Sequence, residues 1–183
     1  AFGLLQSHAH WLWFVTKCSK LTERFNYTSE SVFDTFPWPQ TATVKQIDAV
    51  AAAARALRRV RAEALPKMKG GLRALDRTLE WTRSRPLARP SRAFCFATFL
   101  SPFPKQLKCP GANPLKDAHA ALDTAVLAAY GFSAKKDLLA QLLALNQQVA
   151  AKIEKGEPVT APGVPGNYPD AQKLVTEDCI KPA

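Results

Sequence analysis

With 183 residues and 47% hydrophobic content, the chain is long and apolar enough to bury a packed core. Its longest mainly apolar runs, near Trp11–Val15 and Leu122–Ala129, fall well short of the roughly 20 residues that cross a bilayer, so no membrane span is expected. The formal net charge of +10 is localised: residues 48–76 carry seven basic and three acidic side chains, residues 77–110 seven and one, and the flanking regions nearly balance. Such a stripe suits a polyanion, because each neutralised phosphate releases counterions, but a solvated face accounts for it equally well.

Cys18, Cys95, Cys109 and Cys179 stand far apart, without a C-x-x-C pair or histidines at ligand spacing. The expectation is a reduced, cytoplasmic setting and no metal site. Ala1 is not preceded by Met, and Gly3-Leu4-Leu5 runs directly into an aromatic segment without a charged leader. This reads as a fragment of a longer protein rather than a secretory signal.

The first predicted element is a helix from about Leu4 to Cys18, with Leu4, His8, Trp11, Val15 and Cys18 at one-face spacing. That puts His8 on the apolar stripe and His10 off it. Arg24 to Phe36 is rich in Thr, Ser, Tyr, Val and Phe and reads as a short strand or extended loop. Phe36-Pro37-Trp38-Pro39 fixes two φ angles and forms a stiff connector.

Thr43 and Gln46 form a capping box that opens a second helix. Its buried stripe is Val44, Ile47, Val50, Ala54 and Leu57, and Pro66 with Gly70-Gly71 ends it. Arg55 and Arg59 lie opposite the stripe with Arg58 at its margin, while Arg61 falls on the buried side and needs a partner or must snorkel. Residues 77–110 lose periodicity and read as an irregular insertion. A basic stretch with interleaved phenylalanines also has the composition of a single-strand stacking surface.

Asn113-Pro114 marks the next helix start, Leu115, His119, Leu122, Val126 and Ala129 or Tyr130 its apolar face, and Gly131 its C-cap. Ser133 is the expected cap of a last helix lined by Leu138, Leu142, Leu145, Val149 and Ile153. These two helices should pack antiparallel, with the helix from Thr43 completing a three-helix core. His119 and Arg61 both fall among leucine, valine and alanine, and Asp123, one turn beyond His119, is expected to accept from one of them. Pro158, Pro162, Pro165 and Pro169 make an extended tail that either lies along a surface or stays mobile.

Catalytic motifs are missing. The sequence has no G-x-G-x-x-G, no P-loop, and no Asn/Asp-Pro-Pro-aromatic tetrad of the kind that holds an exocyclic amine in an adenine or cytosine methyltransferase. Pro169-Asp170 begins like a nuclease metal site, but no Asp/Glu-x-Lys follows.

Three blocks resemble a known family. Leu4-Leu5-Gln6-Ser7-His8-Ala9-His10-Trp11, then Tyr27-Thr28-Ser29 through Phe36-Pro37-Trp38-Pro39, are similar to the end of the target recognition domain of MmeI-like (type IIL) restriction–modification enzymes. The stretch Leu115 to Gly131, with Ala118-His119, Leu122-Asp123, Ala125-Val126 and Ala129-Tyr130-Gly131, is similar to their C-terminal helical domain. At Leu75-Asp76 the family usually has Leu-Tyr, and about 30 inserted residues follow here, whose charge therefore says nothing of DNA.

The resemblance implies a mainly α fold, a small bundle of about three long helices preceded by an α/β edge. Residues 1–42 would end a recognition domain, 43–155 form the helical domain with 77–110 inserted, and 156–183 form a Pro-rich tail. It also implies a parent that is an S-adenosylmethionine-dependent DNA adenine methyltransferase. The cofactor would be held upstream and none in this chain, and double-stranded DNA and the upstream methyltransferase domain would be its partners. Arg24, Asn26, Tyr27 and Ser29 become candidate groove or phosphate contacts, and Arg55, Arg58 and Arg59 candidate phosphate contacts. His119, Asp123 and Arg61 are assigned structural polar roles. The reading from another class is a stand-alone basic helical module that docks a protein partner.

Overall fold

The computed structural model describes residues 1–21, 24–67 and 114–176. Gly70-Gly71, the 77–110 insertion, Asn113 and three of the cysteines lie outside the described residues. Mainly α, the fold runs through helices α1 (Phe2–Leu5) and α2 (His8–Lys17) and a two-stranded antiparallel hairpin, β1 (Ser19–Leu21) with β2 (Arg24–Asn26). Then come α3 (Val44–Ala64), α4 (Pro114–Tyr130) and α5 (Leu138–Glu154).

The single helix expected from Leu4 to Cys18 is broken at Gln6-Ser7. Ser7 is the cause: its Oγ donates to the Leu4 carbonyl at 2.6 Å and accepts from the His10 amide at 3.5 Å, closing α1 and capping α2. The break resets the phase of the helix. Ala9, His10 and Trp13 are buried, whereas His8, Trp11 and Val15 are half-buried. The expected places of His8 and His10 are thus exchanged. Between Arg24 and Phe36 the extended part is confined to β2, and Val32-Phe33 belongs to a π-helical turn, Ser29–Phe33, rather than a strand.

The Thr43–Gln46 capping box forms as expected, with the Thr43 amide donating to Gln46 Oε1 at 2.8 Å. Ala54 and Leu57 are buried and the remaining stripe residues half-buried. Helix α4 starts at Pro114, and its expected face is buried, including His119 at 7% exposure, with Ala129 and Tyr130 both inside rather than one of the two. Gly131 follows at φ +68, the left-handed conformation a C-cap requires.

Packing of the last helix departs from expectation. Helices α3 and α4 share the largest interface, but α5 has α2 as its main neighbour. Only Leu142 of its stripe is fully buried, and Ile153 is 59% exposed. Its N-cap is Asp137, which accepts from the amides of Leu139 and Ala140, because Ser133 to Lys136 form a turn instead of a first helical turn.

Asp123 takes a role absent from the sequence reading: Oδ1 accepts from the His8 amide at 2.7 Å, placing a carboxylate at the positive end of α2. Arg61 Nη1 donates to Gln6 Oε1 at 2.6 Å. Both bonds tie the α1–α2 turn to the bundle. The result is one continuous core, in which Trp13, Val32, Phe36 and Trp38 pack with Leu57, Leu122, Val126 and Leu142.

Gly3 marks the closest approach of α1 to α3. A Cβ there would lie 3.0 Å from Val50 Cγ1 and 3.2 Å from the Ala54 Cβ. Gly3→Val should therefore destabilise the fold by about 1–3 kcal/mol, the usual cost of overpacking. Thermal melting checks this, and an unchanged melting temperature would mean that α1 does not sit against α3.

Candidate DNA-facing surface

The segment from Arg24 to Ser29 leaves the hairpin and passes beside α2. Strand register pairs Ser19 with Asn26, Lys20 with Phe25 and Leu21 with Arg24. Phe25 and Tyr27 reach back to Phe14 of α2, with ring centroids 5.9 and 5.4 Å away. Phe14 also meets Trp11 edge-on at 5.6 Å. These contacts hold the segment in place while leaving Phe25 and Tyr27 nearly half exposed and Asn26 and Ser29 exposed. The backbone of Arg24 lies in β2.

Beneath this segment sits His10. Its Nε2 is 3.3 Å from the Tyr27 hydroxyl, and its ring meets Phe36 edge-on at 5.0 Å. Burial, opposed by a hydrogen bond with the Leu5 backbone, holds the imidazole below its ordinary value. Tyr27 moves the other way, raised by partial burial and then by the nearby Asp34 carboxylate.

The three α3 arginines stand on a different element and under different constraints. Arg55 Nη2 donates to the Lys173 carbonyl at 2.6 Å, and Arg58 Nη1 donates to Thr176 Oγ1 at 3.2 Å while lying over the Phe2 ring at 5.5 Å. Arg59 is exposed. The first two hold down the Pro-rich segment, which lies along the surface as one of its two expected states. That segment is further fixed by Gln40, which pairs with Thr160 through both amide groups, by Asn167 donating to the Ala42 carbonyl at 3.0 Å, and by Tyr168 donating to Asp48 Oδ1 at 2.5 Å. The bond to Asp48 raises the Tyr168 pKa. The contacts that hold the strap are not legible in the sequence, since their partners are over a hundred residues apart. Under it runs a mainly apolar cavity of about 360 Å³ lined by Phe2, Trp38, Ile47, Val50, Val164 and Val175, with Arg55 and Arg58 also in its wall.

Sequence reasoning also missed His10 and Asp48. The signal for His10 was Ser7, a cap-type residue three positions before it. His119 is buried on α4, and Asp123, one turn further along, is half-buried. Among the described residues no group of His, Cys, Asp and Glu is arranged to hold a metal ion, and no helix is long and apolar enough to cross a membrane.

Residues 1–40 match the family model described as MmeI, target recognition domain. No curated protein matches the chain. Among solved structures, the type IIL restriction–modification enzyme MmeI in complex with DNA matches at a TM-score of 0.55 and 24% identity, covering 82% of this chain. The match takes in 16% of that enzyme, so this chain spans about a sixth of its length, and the likeness shows a shared fold. Both findings agree with the resemblance to MmeI-like enzymes read from the sequence.

If Arg55 and Arg58 hold the strap, the double variant Arg55→Ala/Arg58→Ala should release it. Limited trypsin digestion followed by mass spectrometry should then show faster cleavage at Lys173 than in the unmodified chain. Equal cleavage would mean that the strap is held without the arginines.

His10 gives a pH dependence with a definite sign. Its folded-state value lies below 6.5, so the folded state binds protons less readily than the unfolded one. The stability is present above the unfolded value and is lost as pH falls through the depressed folded value. The melting temperature should fall between pH 7.5 and pH 5 by more in the unmodified chain than in His10→Asn. Parallel declines would show that His10 is not the titrating group.

Proposed function

We propose that this chain is the non-catalytic DNA-recognition and scaffolding C-terminal part of a site-specific, S-adenosylmethionine-dependent DNA adenine methyltransferase of a restriction–modification system, acting in the cytoplasm. The observation that carries the reading is the match of residues 1–40 to a target recognition domain, over the segment that brings Asn26, Tyr27 and Ser29 to the surface. The shared fold with an enzyme solved on DNA supports extending it to the helical part.

Within this reading the parts divide as residues 1–42, closing the recognition domain, 43–155, buttressing it, and 156–183, strapping the buttress. Arg24, Asn26, Tyr27 and Ser29 approach the duplex. Arg59 is the α3 arginine best placed for phosphate, because Arg55 and Arg58 already hold the strap. The sequence has neither a glycine-rich cofactor turn nor an amine-binding tetrad, so its residues do not fit S-adenosylmethionine. Cofactor and catalysis belong to the upstream methyltransferase domain, the second partner of this chain. The alternative, a stand-alone module docking an acidic protein through its basic face, is disfavoured by the strap that occupies part of that face.

Fluorescence anisotropy with a labelled 30-base-pair duplex tests the reading. Binding should weaken steeply with salt, as phosphate contacts require, and Arg24→Ala should weaken it at all sequences with a shallower salt slope. Asn26→Ala should also lower affinity. Binding unaffected by either substitution would move the contact surface elsewhere, and displacement of the DNA by an acidic protein alone would favour the docking module.

A further inference from the structure

His10 and Tyr27 form a polar pair whose proton inventory can be worked out. His10 is buried on α2 and Tyr27 stands 45% exposed after the hairpin, with Tyr27 Oη and His10 Nε2 at 3.3 Å. The Leu5 backbone bond to the imidazole favours its protonated form, which means that a carbonyl accepts a ring N–H. Since Nε2 faces Tyr27, that N–H is carried by Nδ1. Burial outweighs the bond and keeps the ring neutral at ordinary pH, leaving Nε2 as an acceptor only.

The Tyr27 hydroxyl has one proton, and it must go to Nε2. Burial and Asp34 raise the phenol above its ordinary value, so it does not lose that proton at neutral pH. What the exposed side of Tyr27 offers is then lone pairs without an N–H or O–H. The rings cannot easily turn to change this, because Phe36 meets His10 edge-on at 5.0 Å and Phe14 packs on Tyr27 at 5.4 Å.

We propose that Tyr27 presents itself to DNA as a hydrogen-bond acceptor alone and takes the exocyclic amine of a base edge, not a phosphate oxygen, with His10 as the positioning residue that sets this polarity. The inference rests on the duplex-DNA reading above and deepens it. A phosphate oxygen is itself only an acceptor and has nothing to give Tyr27. The donors a duplex exposes are adenine N6 and cytosine N4 in the major groove and guanine N2 in the minor groove.

Two measurements on the full chain test the proposal. Long-range ¹⁵N NMR of the imidazole should show the Nδ1–H tautomer at neutral pH, and the Nε2–H tautomer would overturn the proton assignment. Anisotropy should then compare a duplex with versions carrying N6-methyladenine, N4-methylcytosine or inosine, each of which removes one groove amine hydrogen. One of the three should weaken binding by the unmodified chain about fivefold, the worth of a single hydrogen bond. Tyr27→Phe should already be weaker by a similar factor and indifferent to that change. If all three duplexes affect the chain and Tyr27→Phe equally, the amine contact is wrong while DNA recognition stands. If no duplex binds at all, the reading beneath it falls as well.

Discussion

The fold depends on a buried extended segment that has no strand beside it. Residues 36–39 are all buried, a position that ordinarily costs unpaired backbone amides. Proline at two of the four positions removes that cost, since Pro37 and Pro39 have no N–H to satisfy. Three of the remaining groups are paired locally or across the core. The Phe36 amide donates to the Phe33 carbonyl at 3.2 Å, the Trp38 carbonyl accepts from Gln40 Nε2 at 2.8 Å, and the Pro37 carbonyl accepts from the buried Tyr130 hydroxyl at 2.8 Å. Tyr130 is raised well above the ordinary tyrosine range by burial, so it remains a donor under any working condition.

Because of that bond, the recognition-like segment and the helical part share an interior. The Trp13 indole donates to Thr35 Oγ1, and Asn146 of α5 donates to the Thr35 carbonyl, so α2, the loop before the prolines and α5 meet at one residue. Asp123 of α4 caps α2, and Gln46 of α3 donates to the Ala128 carbonyl of α4. A connector of the hinge type would leave the two sides free to move. Here the connector is the core, and its Phe36 ring meets the His10 ring edge-on at 5.0 Å beneath the surface segment.

What was legible in the sequence follows from how local each signal is. The buried face of α4 is read from Leu115, His119, Leu122 and Val126 with proline before them and glycine after, and these pack as read, because α4 is covered along one side only. The capping box of α3 is equally local. The α1–α2 region defeats periodicity because Trp11 to Val15 is apolar on every side of a helix, so the phase rests on the cap at Ser7 and not on the stripe. The α5 contact with α2 and the strap across α3 are long-range choices. The pairing of Tyr168 with Asp48 joins residues that nothing in the sequence marks as partners.

The charge pattern illustrates the same division at the candidate surface. Net charge drew attention to α3, yet two of its arginines are engaged by the chain's own tail, and carbonyl and hydroxyl acceptors there neutralise nothing. The strap therefore leaves the positive potential of α3 in place while fixing the guanidinium directions that a phosphate would have to match. Long-range attraction of a polyanion and close contact with it are separable for that reason. The first survives in the summed charge, whereas the second falls to side chains with unengaged faces, Arg59 on the helix and the polar residues from Asn26 to Ser29 beside α2. On the proposed DNA-binding reading, α3 draws the duplex in and the short segment that His10 holds in position reads it.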